Sequence, residues 1–99
     1  MEKKPMLSRI TRQYLDTYER ILQNMIRQMR EFTRTDSISH NFIARMIPHH
    51  QGAAAMARTA LQYPICPELK PVLQSIIATQ QQGIMQMQQL QRRMRCPAC

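Results

Sequence analysis

The chain has no tryptophan, only two glycines and only six acidic residues among its 99. So little glycine, with six prolines, excludes a collagen-like or linker-rich chain. No apolar run approaches the ~18 residues that a membrane-crossing helix needs. Met1-Glu2-Lys3-Lys4-Pro5 is charged and has no apolar stretch behind it, so no signal peptide is visible and a cytoplasmic location is expected. Three cysteines are an odd count, and without an export signal reduced thiols are the default. The scarcity of acids also bears on di-iron chemistry, which needs Glu-x-x-His motifs on two helices. Glu2, Asp16, Glu19, Glu31, Asp36 and Glu68 supply none.

What remains is a single domain, 43% hydrophobic and 20% charged, with a net charge of +8 and nine methionines. Its apolar residues recur at three- and four-residue steps with no alternating stretch, so the expected fold is all-α. One helix is expected over about 7–32, where Leu7, Ile10, Tyr14, Tyr18, Ile21, Met25, Met29 and Phe32 share a face. Asp36 or Ser37 can cap a second helix over 38–62, with Phe42, Ile43, Met46, Ile47, His49 or His50, Ala53, Ala57 and Leu61 inward. Pro48 inside it removes a hydrogen bond and predicts a kink. Gly52-Ala53-Ala54-Ala55 is small on every side and invites close helix approach. Two prolines break the chain at Tyr63–Pro67, and Pro67 can open a third helix over 67–95. Its stripe includes Leu69, Leu73, Ile76, Ile77, Ile84, Met87, Leu90 and Met94, with Gln80 among them. Three long helices of ~100 residues give a modest core. The expectation is a three-helix up-down bundle, completed by a homo-oligomer.

Chemistry concentrates in the second helix. Met46, His49, Ala53 and Met56 follow one line, and His50 sits one step round from it. Thioether and imidazole together form a soft donor set suited to Cu(I). His49, His50, Met46 and Met56 are therefore the ligand candidates; His49 shares the methionine line, and a kink at Pro48 could rotate His50 into that role instead. Met25, Met29 and Met87 are possible further donors, although methionine at helical spacing is more often core. Gln80 can orient an imidazole. Cys96-Pro97-Ala98-Cys99 follows a helix C-terminus, where the dipole disfavours thiolate, which argues against a redox role. Cu(I) capture by Cys96 and Cys99, or a frayed thiol tail, are its two readings.

The segment Phe42-Ile43-Ala44-Arg45-Met46-Ile47-Pro48-His49-His50-Gln51-Gly52-Ala53-Ala54-Ala55-Met56-Ala57 resembles the hallmark F-x-x-x-M-I-P-H-H-Q-x-A-x-x-M-A of domain of unknown function family 305. Ile76, Ile77, Gln80, Ile84 and Met87 resemble its I-I-x-x-Q-x-x-E-I-x-x-M. The likeness covers about 42–90. It departs at Gly83, where the family usually has Glu, at Leu90, where an aromatic is common, and at Ser37–His40, where an acid is usual. The resemblance implies a ferritin-like helical bundle. It also implies copper binding or tolerance, as in its CopM-like members, many of the family being exported. Fewer carboxylates favour a soft, low-valent ion.

The function expected is thus non-enzymatic binding of a soft metal, with copper as cargo, for storage, buffering or tolerance. One alternative is an interaction module whose Pro48 segment is structural, its histidines satisfying carbonyls that Pro48 frees. The other is a basic regulator that contacts nucleic acid through Arg9, Arg12, Arg20, Arg27, Arg30 and Arg34, although a solvated face is the commoner use of such a line. No membrane partner is expected.

Overall fold

The structure, a computed structural model, describes residues 6–95. Three helices account for most of them: α1 (Arg9–Arg30), α2 (Ile38–Leu61) and α3 (Leu69–Arg93). No strand occurs among the described residues. The ends fall up to two residues inside the sequence expectation, for identifiable reasons. Ser8 caps α1, its Oγ accepting the Thr11 N–H at 3.1 Å. Ser37 does the same for α2 with the His40 N–H, also at 3.1 Å. Between these helices Thr35 and Asn41 clamp the turn: Thr35 N–H donates to Asn41 Oδ1 (2.9 Å) and Asn41 Nδ2 donates to the Thr35 carbonyl (2.8 Å). Pro67 does not open α3. It sits in a preceding turn in which the Leu69 N–H donates to the Cys66 carbonyl at 2.9 Å.

α2 is the central element. α1 and α3 each pack along it and make no close backbone approach to one another. Both pairs are antiparallel. Met25 lies against Gly52, and the Tyr14 and Tyr63 rings meet edge-on at 5.5 Å. On the other flank His50 lies against Gly83, and Leu73 packs with Ala57 and Ala60. The result is an open helical bundle, 56 × 32 × 20 Å, with a radius of gyration of 17.4 Å. A compact chain of ~100 residues has about 13 Å.

The core is built from small side chains. Ile43, Ala54, Ala57, Ala60 and Leu73 are its buried hydrophobics, and no large side chain among the described residues is fully buried. Gly52 and the alanines let α1 and α3 approach α2 closely, as the run of small residues suggests. α1 contributes no buried residue at all, despite its apolar face. Phe42, expected inward, is 61% exposed, because two neighbours cover only part of α2 and Phe42 lies outside that part. α2 continues through Pro48, which is buried. No helix of the described residues is long and apolar enough to cross a membrane.

Candidate metal centre

The two adjacent histidines part company in the fold. Successive residues on a helix point about 100° apart. His49 is exposed, whereas His50 is half-buried and turned toward α3. Their rings are 6.0 Å apart, edge to face. His50 Nδ1 lies 2.8 Å from the Met46 carbonyl oxygen. A carbonyl only accepts, so Nδ1 carries the proton and donates. In the neutral imidazole, Nε2 then holds the free lone pair. That nitrogen faces Gly83: a Cβ placed there would lie 3.2 Å from Nε2 and 3.0 Å from Cδ2. The absence of a side chain at Gly83 therefore lets the ring lie close against α3 without displacement. The bond does not compensate for Pro48. The carbonyl deprived of an N–H by Pro48 is that of Ala44, four residues earlier, and the His50 ring reaches Met46 instead.

The antiparallel register places other donors around Nε2. With His50 opposite Gly83, Met46 is level with Met87, four residues back on one helix and four on along the other. Both methionines are half-buried. Gln80 precedes Gly83 by one turn on the same face of α3. Its Oε1 is buried and has no hydrogen-bond partner among the described residues. An orphaned buried acceptor costs about 1–3 kcal/mol, so it calls for a proton donor or a cation.

The remaining candidates lie elsewhere. Met56 follows Gly52 by one turn, on the α1 side of α2, and is half-buried. Along the continuous helix Met46 and Met56 are separated by about 15 Å, too far for one ion to hold both. Met25 covers Gly52, its Cγ 2.7 Å from where a Cβ would stand, so its thioether fills the α1–α2 seam rather than facing His50. Met29, one turn on, belongs to the same seam. Cys96 and Cys99 lie outside the described residues, and Cys66 is an exposed free thiol. No group of three His, Cys, Asp or Glu side chains converges among the described residues. A closed tetrahedral zinc site is built from Cys, His, Asp or Glu donors, and no second or third residue of these types joins His50 in such a group among the described residues. The α1 arginines are exposed, and Arg27 pairs with Glu31 at 3.5 Å.

Sequence spacing alone pointed at His49. What it missed is Gly83, whose signal was a glycine within a helical stripe, a mark of close approach. No curated protein matches the chain. The family model described as Domain of unknown function (DUF305) matches residues 13–91, and the chain belongs to that family.

Proposed function

We propose that this protein binds a soft metal ion, with Cu(I) as cargo, for storage or buffering rather than catalysis. The observation that carries the reading is the His50 ring, fixed through Nδ1–H on the Met46 carbonyl so that its Nε2 lone pair faces α3. Metal-ligating imidazoles are commonly oriented by such a backbone bond from the other ring nitrogen. Met46 and Met87, level across the two helices, supply thioethers that favour a monovalent soft ion over a hard one. Gln80 Oε1 adds an unpaired acceptor nearby. The donor set is thus His50, Met46 and Met87, with Gln80 beside it.

The test is a Cu(I) titration of reduced full-length protein against a competing chelator, with native mass spectrometry for stoichiometry. Met46→Leu and Met87→Leu should each weaken binding clearly while the helical signal holds, since such swaps conserve volume. Met56→Leu should leave affinity unchanged. If the wild type binds no Cu(I), or if only loss of Cys96 and Cys99 abolishes binding, the assignment to the α2–α3 crevice is wrong.

A second reading, an interaction module, draws on a separate observation. The chain exposes 7955 Å², against about 5,900 Å² for a compact monomer of its size. Even half of that excess exceeds the roughly 800 Å² that each partner buries in a standard interface. Self-association satisfies this surface without a foreign partner and is compatible with metal binding. We therefore infer that the protein is a homo-oligomer that carries its ion between α2 and α3 of each chain.

A further inference from the structure

The antiparallel order brings the end of α1, the start of α2 and the end of α3 to one pole of the molecule. Among the described residues, Arg30, Arg34, Arg45, Arg92, Arg93 and Arg95 gather there against only Glu31 and Asp36. Residues at the ends of α1 and α3 complement the helix dipoles. Arg34 and Arg45 are not at helix C-terminal positions, and they do something else. Both guanidinium groups lie on the Phe32 ring, at 5.3 and 5.5 Å from its centre. Arg45 Nε also donates to the Met29 carbonyl at 3.2 Å. Neither has a carboxylate partner among the described residues, so two cations are held in place with their outer faces open. Ile38 and Phe42 stand beside them, 86% and 61% exposed, one turn apart on α2. Phe32, Arg34, Ile38, Asn41, Phe42 and Arg45 line one shallow depression.

We propose that this pole docks on an anionic lipid surface. Ile38 and Phe42 enter the headgroup and acyl boundary, while Arg34 and Arg45 meet lipid phosphates at its rim. Charge complementarity selects an anionic partner. The apolar pair selects a bilayer among anionic partners, because a nucleic-acid backbone offers no apolar sink for an isoleucine. An elongated molecule presents such a pole end-on without steric conflict. The contact is peripheral, so it concerns a different property from the lack of membrane-crossing helices. The expectation of no membrane partner rested on the lack of spanning runs, and a peripheral contact lies outside that argument. It is also independent of the metal reading.

The experiment is co-sedimentation of the full-length protein with phosphatidylcholine vesicles, with or without about one-third phosphatidylserine. Binding is expected on the anionic vesicles only, weakening as salt rises. Each basic residue near such a surface contributes about fivefold to partitioning. The Arg34→Ala/Arg45→Ala double variant should therefore bind at least about tenfold more weakly. Ile38→Ser/Phe42→Ser, which keeps the charge, should weaken binding by a similar factor. Both pairs are exposed, and circular dichroism would verify that the variants remain helical. Equal binding to neutral vesicles, or no binding to anionic ones, overturns the proposal. So does binding that loses nothing in the Ile38/Phe42 variant. Duplex DNA that displaces the vesicles, and itself binds that variant as well as wild type, would reassign the pole to nucleic acid.

Discussion

At the residue scale the decisive contrast is between His49 and His50. They are chemically identical and adjacent, yet only His50 has one ring nitrogen engaged and the other turned toward a neighbouring helix. His50→Ala should therefore lower Cu(I) affinity by at least about tenfold, and His49→Ala should hardly change it. Chelator competition on the two single variants reads this directly, and equal losses would contradict the assignment. Acid should weaken binding in the wild type, because a proton competes with the metal for the same lone pair. Gly83 offers a cleaner separation of chemistry from stability. Gly83→Ala brings a methyl to 3.0 Å from the His50 ring, which must shift by a few tenths of an ångström and so strains its bond to Met46. Alanine also favours the helix by up to about 1 kcal/mol. The expected outcome is a melting temperature that holds or rises together with a several-fold loss of Cu(I) affinity. A variant that binds copper as well as wild type would show that Gly83 does not position the ring.

At the scale of elements, α2 serves two neighbours through opposite sides. The α1 seam closes over Gly52 and the α3 seam over His50 and Gly83. Gly52→Ala forces a Cβ to 2.7 Å from Met25 Cγ and 3.0 Å from Met25 Cβ, so α1 has to move outward or Met25 has to change rotamer. Overpacking of this kind costs about 1–3 kcal/mol, only partly offset by helix propensity. Urea unfolding should show that loss, and Met25→Ala in the same chain should recover most of it. Copper affinity should be unaffected in the folded Gly52 variant, since its seam is on the other side of α2. A stability unchanged by Gly52→Ala would mean that α1 is not seated as closely as described.

At the scale of the whole molecule, the surface is too large for the chain. α1 buries none of its residues, and Leu15, Val72 and Leu90 are each between two-fifths and a little over half exposed. Monomeric proteins rarely leave large apolar patches open. Light scattering at micromolar concentration, under reducing conditions, should therefore give a dimer mass or greater. A monomer would remove the argument from excess surface.

The local physics of the chain was legible without coordinates. Apolar steps of three and four, Ser37 as a cap and the proline break between Tyr63 and Pro67 specify three helices, because each depends only on residues within a turn or two. The small residues around Gly52 announced a close seam for the same reason. Spacing favoured His49 over His50, since it describes one helix alone, whereas the difference between the two rings in the fold comes from where α3 lies. Nor could spacing tell Met25, which fills a seam, from Met46 and Met87, which become level only when α2 and α3 pair antiparallel. Phe42 shares the apolar periodicity of its helix and still ends exposed. Periodicity fixes which face of a helix is apolar, but burial requires a neighbour on that face, and only the tertiary arrangement decides how many neighbours α2 has.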